Sequence, residues 1–334
     1  MERKEIGSEF WEVTVSAAKE TPLLSSVQWF LSGRSALRSI LKDLKSCRTA
    51  AMPAWCCDSM VRPFADAGME VRFYPVCPGV GGNPLQEIPF DSDILFVMDY
   101  FGYTSAPVDL SNYKGTIIRD VTHSLFSSSY SDADYYFGSL RKWTGVWSGG
   151  YARAKDGHAL TNGETGDGGY TALRMKAMES KKEYMAGNGD KSYLEVFRKA
   201  EELLEDTGIA EAAERDVQLI RHLDVEYIRT RHRANAEVLR KAFPEWLLFP
   251  EMRETDCPMF VPVLVPRGKR DELRQYLCAN EIYCPIHWPL NPYLKPDSRT
   301  GTIYENELSL VCDQRYTAAD MDRVVSAIRD FMKG

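Results

Sequence analysis

The stretch "DILFVMDYFG", residues 93–102, constrains the fold more than any other part of this 334-residue chain. Its apolar run, residues 94–98, has no polar position that could face water, so it predicts a strand buried on both faces. Further strand candidates lie at residues 115–120, 133–139 and 149–154, and helical or long connections separate the strands. This alternation predicts an α/β domain with a mostly parallel sheet.

The first helix is predicted at residues 34–45, where leucine and isoleucine recur at helical spacing behind a possible cap at Ser32 and Gly33. Residues 49–76 predict a strand, a helix and a second strand, with Gly68 ending the helix. A strand that is followed by a helix and then by another strand is the connection that parallel sheets use.

The second half of the chain changes character. Residues 155–169 are polar and glycine-rich and predict a mobile loop, and amphipathic helices are predicted after it. The C-terminal part predicts a small α/β unit whose last helix begins with a capping box formed by Thr317 and Asp320. We therefore predict a large domain at residues 1–220 and a small C-terminal α/β domain at residues 221–334.

Composition excludes several classes of protein. The net charge of −7 and the pI near 5.4 argue against nucleic acid as the main partner. No apolar run approaches the roughly 18 residues that span a bilayer, and no apolar segment follows the charged N-terminus, so we expect a cytoplasmic protein without membrane contact. The eight cysteines form no CxxC pair and the five histidines no HExxH spacing, so we expect reduced cysteines and no metal site.

Side chains that could carry chemistry follow the predicted strands, at the end where open α/β sheets bind ligands. Asp120 ends one strand and Lys142 follows a later one, while "SGRS", residues 32–35, opens the first helix. Pyridoxal phosphate (PLP) requires three such parts: a lysine for the Schiff base, a carboxylate for the pyridinium nitrogen, and a helix N-terminus for the phosphate. The sequence therefore favours a PLP site.

Taken singly, each of these signals has an ordinary alternative. A loop lysine such as Lys142 is usually solvated, Asp120 could cap a turn or a helix, and "SGRS" could be a plain helix cap. The triplet "DSD", residues 91–93, could suggest a metal-dependent glycosyltransferase, but it precedes a buried strand and is typical of a turn. The order of the three parts and their strand-end positions favour the cofactor.

These segments resemble the DegT/DnrJ/EryC1/StrS aminotransferases, the sugar-aminotransferase branch of the fold-type-I PLP enzymes. "SGRSAL" resembles the family's SGTAAL phosphate segment, and "IIRDVTHSLFS" resembles its IIEDAAHALGA segment. "GSLRKWTGVWSGGYA" resembles its lysine segment, and "IYCPIHWPL" and "LSLVCDQRYTAADMDRVVSAI" resemble segments of its small domain. The resemblance covers most of the chain, with a gap at about residues 155–220.

The resemblance implies a homodimeric fold-type-I PLP transferase with a large and a small domain. It implies that Lys142 forms the Schiff base, that Asp120 pairs with the pyridine nitrogen and that His123 bonds the phenolic oxygen. The residues implied for the phosphate are Gly33, Arg34, Ser35 and Ser139. The implied reaction moves an amino group from an amino acid, glutamate by analogy, to a nucleotide-linked keto-sugar used in polysaccharide or secondary-metabolite biosynthesis.

Three further residues each have a functional and a structural interpretation. Trp55 is the leading candidate to stack on the cofactor ring, with core packing as the alternative. His287 and Arg315 are candidates to close over the substrate, with structural roles as the alternative.

The chain also departs from the family. Arg34 stands where the family often has threonine, and the family's G-x-N-x-R-M segment, which reaches into the partner's active site, is absent from residues 155–220. This absence predicts an atypical substrate pocket. It also motivates a second hypothesis, a PLP-binding protein with a sensory or regulatory role and little turnover.

Overall fold

The computed structural model describes residues 5–16, 24–79, 85–89, 91–103, 110–127, 133–290 and 292–334. The described chain falls into two compact units that alternate along the sequence. Unit 1 draws on residues 9–47 and 133–225, and unit 2 draws on residues 5–8, 48–132 and 226–334. The predicted domain boundary at residue 220 stays a prediction.

The strands are β1 Ile6–Gly7, β2 Gln28–Phe30, β3 Thr49–Pro53, β4 Glu70–Tyr74, β5 Val76–Cys77, β6 Leu85–Gln86, β7 Ile94–Met98, β8 Thr116–Asp120, β9 Tyr135–Ser139, β10 Gly150–Ala154, β11 Phe260–Leu264, β12 Ile282–Tyr283 and β13 Glu307–Val311. The α-helices are α1 Gly33–Asp43, α2 Asp58–Asp66, α3 Tyr170–Met185, α4 Tyr193–Asp206, α5 Glu214–Arg221, α6 Val225–Ala242, α7 Arg270–Ala279, α8 Ser298–Asn306 and α9 Ala318–Lys333. Short 3₁₀ helices lie at Leu140–Lys142, Pro244–Trp246 and Pro266–Gly268.

The parallel strands belong to unit 2. There β3 pairs in parallel with β4 and with β7, and β7 pairs in parallel with β8. All five residues of β7 are buried, which confirms the prediction made from its unbroken apolar run. Met98 is the register partner of Asp120, so β7 and β8 end side by side and Asp120 lies at the carboxyl edge of these strands.

The C-terminal part of unit 2 is a second layered assembly. Strands β11 and β13 pair antiparallel, and α9 begins with the predicted capping box of Thr317 and Asp320. Buried apolar residues of α9 and of the two strands form one core with α7. They include Val261, Val263, Leu273, Leu277, Leu308, Leu310, Met321, Val324, Val325 and Ile328.

In unit 1, β10 pairs antiparallel with both β2 and β9, so these strands depart from the parallel pattern. Helix α1 begins at Gly33 with Ser32 as its N-cap, as predicted. Helices α3 and α4 pack together through Tyr184, Tyr193 and Phe197. Residues 155–169 contain neither helix nor strand, so the predicted loop is confirmed as irregular structure.

Two findings bear on the excluded classes. Across the described ranges, the helices lack either the length or the apolar character that crossing a bilayer requires. All eight cysteines lie in the described ranges, where none of them forms a disulfide, and five of them are buried.

Candidate functional site

The start of α1 lies against the end of β9 within unit 1. Ser32 Oγ accepts a hydrogen bond of 3.1 Å from the backbone N–H of Ser35, and this caps the helix. A Cβ placed on Gly33 would lie 3.6 Å from the Cβ of Ser139, which shows how close the two segments are. The N-terminal end of this 11-residue helix, which carries a partial positive charge, therefore lies beside the last residue of β9.

Two glycines make this approach possible. A Cβ on Gly150 would lie 2.1 Å from the carbonyl carbon and oxygen of Ser32, and a Cβ on Gly138 would lie 2.4 Å from Tyr151 Oη. Neither distance is compatible with a side chain. The absence of a side chain at Gly150 therefore lets β10 run directly against the start of α1.

Lys142 ends the 3₁₀ helix that follows β9, and it is exposed. The backbone N–H groups of Trp143 and Thr144 donate to Leu140 O at 2.9 and 3.1 Å, and the Trp143 side chain is fully buried, so the segment is anchored. Within the described ranges, neither Lys142 Nζ nor Ser139 Oγ makes a hydrogen bond or an ion pair. The Ser139 hydroxyl group thus ends β9 beside a helix N-terminus, and the Lys142 amine follows three residues later.

The other two predicted phosphate side chains contact protein groups of unit 1. Ser35 Oγ donates to Gly208 O at 2.8 Å. Arg34 Nη2 lies 3.7 Å from Glu201 Oε2 on α4. Their part in phosphate binding stays a prediction.

Sequence reasoning missed a cluster of charges around Glu201. Arg141, directly before Lys142, contacts Glu201, and Arg174 Nη1 lies 3.7 Å from it. Arg174 Nη2 also donates to Glu9 Oε2 at 3.1 Å. Partial burial opposes ionisation of Glu201, but Arg141 and Arg174, followed by Lys142 and Arg34, outweigh it and lower its pKa to about 2.

In unit 2, Asp120 is buried at the last position of β8, as predicted. Its Oδ1 accepts a hydrogen bond of 2.8 Å from the backbone N–H of Thr122. The bond fixes one oxygen of the carboxylate at the end of the strand. A carboxylate at this position is the group type that pairs with a cationic ring nitrogen.

His123 lies in a cluster of aromatic rings in the same unit. Its ring stacks on Trp288 with 5.7 Å between centroids and 8° between planes. The backbone N–H of Phe101 donates to His123 Nδ1 at 3.4 Å, which favours the tautomer with the proton on Nε2. Trp55 stacks on Tyr100 at 4.8 Å and is fully buried, so its packing agrees with the core alternative, and its cofactor role stays a prediction.

His287, one of the predicted substrate residues, is brought next to His123, with 5.8 Å between the ring centroids. Its Nδ1 lies 2.9 Å from Ser309 Oγ, and Ser309 donates to Glu307 Oε1 at 2.6 Å. Burial raises the pKa of Glu307 to about 8, against the opposing hydrogen bonds from Ser309 and the His287 backbone. The sequence did contain a signal for this pair, because Glu307 and Ser309 are polar residues that alternate with apolar ones along the buried strand β13.

Arg315 is placed differently. Its guanidinium forms two hydrogen bonds of 2.8 Å to the carboxylate of Asp313 and is only 8% exposed. This geometry agrees with the structural alternative, and a substrate role stays a prediction.

The "DSD" triplet precedes β7, and Asp93 Oδ2 accepts backbone N–H bonds from Arg48 and Thr49 at 2.7 and 2.9 Å. Within the described residues, there is no group of three or more His, Cys, Asp or Glu side chains arranged to hold a metal ion. The interpretation of "DSD" as a turn before the strand is therefore the one that agrees with the geometry.

No protein-family model and no curated protein matches this sequence. Solved structures do match. A Streptococcus pneumoniae protein described as the sugar aminotransferase Spr1654, in its PLP form, is 14% identical with a TM-score of 0.65, and the match covers 98% of each chain. The chain has the fold of a sugar aminotransferase.

Two further structures agree. Helicobacter pylori PseC, an aminotransferase involved in pseudoaminic acid biosynthesis, is 13% identical with a TM-score of 0.63, covering 97% of this chain and 99% of its own. A DegT DnrJ EryC1 StrS aminotransferase from Brucella abortus is 14% identical with a TM-score of 0.61, covering 91% and 85%. The predicted α/β fold class, that of the fold-type-I PLP transferases, is confirmed. The resemblance to the DegT/DnrJ/EryC1/StrS family is confirmed as a likeness of fold.

Proposed function

We propose that this chain is a PLP-dependent aminotransferase that moves an amino group from an amino acid to the keto group of a sugar. The observation that carries the proposal is the arrangement in unit 1, where Ser139 ends β9 beside the N-terminus of α1 and Lys142 follows three residues later. The groups fit PLP, because the helix amides and a hydroxyl suit a phosphate and an amine suits an aldehyde. The fold shared with sugar aminotransferases supports the same function.

The residues would divide the work as follows. Bound PLP would supply a protonated ring that withdraws electrons when a Cα–H bond of the donor breaks. The family resemblance implies that the Asp120 carboxylate would keep the ring nitrogen protonated and that His123 Nε2 would donate to the phenolic oxygen. Lys142 Nζ would hold the cofactor. Once the amino donor has displaced it, the free amine would act as a positioned base and accept the proton from the α-carbon of the donor.

The test is covalent labelling. Wild-type protein mixed with PLP and reduced with borohydride should carry the label on Lys142, identified by peptide mass spectrometry. Lys142→Ala should remain unlabelled, while Lys155→Ala, which removes an exposed lysine of the loop after β10, should be labelled like the wild type. Labelling of Lys142→Ala at the wild-type level would refute the assignment.

For the substrates, we propose glutamate as the donor and a nucleotide-linked keto-sugar as the acceptor, from the family resemblance. A cavity of about 580 Å³ in unit 2 supports an anionic acceptor. Arg270 and Arg274 line it one helical turn apart, together with Trp288 and Tyr304, although Glu305 also lines it. Arg274→Gln should raise the KM for the acceptor and leave the glutamate half-reaction unchanged.

A second function, a PLP-binding sensor with little turnover, is favoured by residues 155–220. They form an irregular loop and helices α3, α4 and α5, and they lack the family's substrate motif. Glutamate added to the PLP-loaded protein separates the two functions. Formation of pyridoxamine phosphate supports the aminotransferase, and a bound cofactor that no amino acid converts supports the sensor.

We also propose a cytoplasmic homodimer, on the same family resemblance. Analytical ultracentrifugation of the PLP-loaded protein should give twice the chain mass, and a monomer at assay concentration would contradict it.

A further inference from the structure

One carboxylate in unit 1 meets three arginines from three different segments. Arg141 and Arg174 both approach Glu201 Oε1, and Arg34 Nη2 lies 3.7 Å from Glu201 Oε2. Arg34 belongs to the start of α1 and Arg141 to the segment that ends in Lys142. Glu201 on α4 therefore touches both segments on which the proposed cofactor site depends.

The charges make this carboxylate hard to replace. Three guanidiniums and Lys142 surround two carboxylates, Glu201 and Glu9. The Arg141 side chain is 9% exposed and the Arg174 side chain 1% exposed, so water screens their repulsion weakly. Without Glu201, Arg34 and Arg141 would lose the carboxylate that holds them together and would repel each other.

The cluster is poorly built for stability alone. Arg141 Nε, Arg174 Nε and Tyr170 Oη are buried and have no hydrogen-bond partner in the described part of the chain. Each such group costs roughly 1–3 kcal/mol, and an apolar core of the same volume is often as stable or more stable than a buried ion cluster. Unlike apolar packing, contacts between guanidinium and carboxylate groups also fix the relative orientation of the segments that carry them.

We propose that Glu201 is a positioning residue, which holds the start of α1 and the Lys142 segment in one arrangement through Arg34 and Arg141. In this chain the support comes from α4, within the residues that lack the family's partner-reaching motif. The consequence for PLP rests on the proposed function, while the mechanical role of Glu201 does not.

The first experiment needs no cofactor. In Glu201→Gln, hydrogen exchange should become about tenfold faster at the Ala36 and Trp143 amides, which donate to Ser32 O and Leu140 O in the two segments. Glu202→Gln is the matched control, because Glu202 is the next residue on α4 and pairs with Arg198 on the exposed surface. Equal exchange rates in the two variants would overturn the proposal.

The second experiment measures PLP binding and decides what Arg34 does. Glu201→Gln and Arg34→Gln should each raise the Kd for PLP, Glu201→Gln by about tenfold, and the double variant should be no worse than Glu201→Gln, because that change already removes the contact with Arg34. Glu201→Asp should restore part of the affinity, and Glu202→Gln should bind like the wild type. Additive losses would mean that Arg34 binds phosphate independently of Glu201, and the positioning role would fall.

The two experiments keep the failures apart. If the wild type forms no covalent adduct with PLP, the proposed function is refuted, and the exchange rates still decide the role of Glu201. If Glu201→Gln melts before exchange can be measured, Arg34→Gln, which leaves Arg141 and Arg174 paired, tests the same contact.

Discussion

Replacing Gly150 by alanine should disrupt the start of α1. The new Cβ would lie 2.1 Å from the carbonyl carbon and oxygen of Ser32 and 2.8 Å from the nitrogen of Gly33. These are backbone atoms, so no change of rotamer relieves the clash, and either α1 or β10 must move. Overpacking typically costs about 1–3 kcal/mol, and we expect Gly150→Ala to lie at the upper end, near 3 kcal/mol.

The expected shift is measurable by calorimetry. An unfolding entropy of about 2.1 cal/mol/K per residue gives about 0.7 kcal/mol/K for 334 residues. A loss of 3 kcal/mol then lowers Tm by about 4 °C, and the proposed PLP affinity should fall with it. Gly166→Ala is the control, because a Cβ there meets nothing within 4 Å. If both variants melt at the wild-type temperature, the close approach of β10 to Ser32 is wrong.

Three further predictions concern charged groups. Burial raises the pKa of Glu307, so the free energy of unfolding should fall between about pH 5 and about pH 9 as the carboxyl group ionises. In Glu307→Gln, the free energy of unfolding, measured by urea titration at each pH, should depend less on pH. Hydrogen bonds to Asp156 and Asp43 raise the pKa of His158, so the protonated ring stabilises the fold at low pH. This contribution is lost as the pH rises through the raised pKa, and His158→Gln should therefore be less stable than the wild type at acidic pH alone. Arg315→Ala and Asp313→Ala should each lower the free energy of unfolding by about 3 kcal/mol, because each change leaves the partner's charge buried and unpaired. If Arg315→Ala instead changed the KM for the acceptor without a loss of stability, a substrate role for Arg315 would be supported.

Local patterns in the sequence located most of the fold. Strand β7 and helices α1 and α9 were predicted because burial on two faces, helical spacing and a capping box are written in neighbouring residues. Strand β2 was missed because it is three residues long and is defined by pairing with β10, more than a hundred residues later. No local pattern specifies such a distant partner.

Helix α8 was missed for a different reason. It contains a glycine and two threonines, which favour helix weakly. Contacts outside the helix support it, since Thr300 Oγ donates to Val76 O at 3.0 Å and Tyr304 Oη donates to Ala54 O at 2.8 Å. Tertiary contacts here override a low intrinsic preference.

The candidate site divides in the same way. Asp120 and Lys142 could be singled out because Asp120 ends and Lys142 follows a strand that the local sequence predicts, and their roles stay predictions. The Glu201 cluster was not found, because its contacts join α1, α3, α4 and the Lys142 segment, and single charged residues on amphipathic helices give no sign of their partners. The end of a strand can be predicted from neighbouring residues, whereas a charge network between distant segments cannot.

Backbone strain gives evidence on the site that does not depend on any resemblance. Phe101 and Trp288 have φ values of 53° and 67°, in the left-handed region that bulky residues rarely adopt. Such conformations cost of order 1–3 kcal/mol each and persist where surrounding contacts hold them, most often at functional sites. Both residues pack on His123, with ring centroids 4.8 and 5.7 Å away. The two strained residues therefore pack on His123, the residue that the family resemblance assigns to the cofactor's phenolic oxygen, and that assignment stays a prediction.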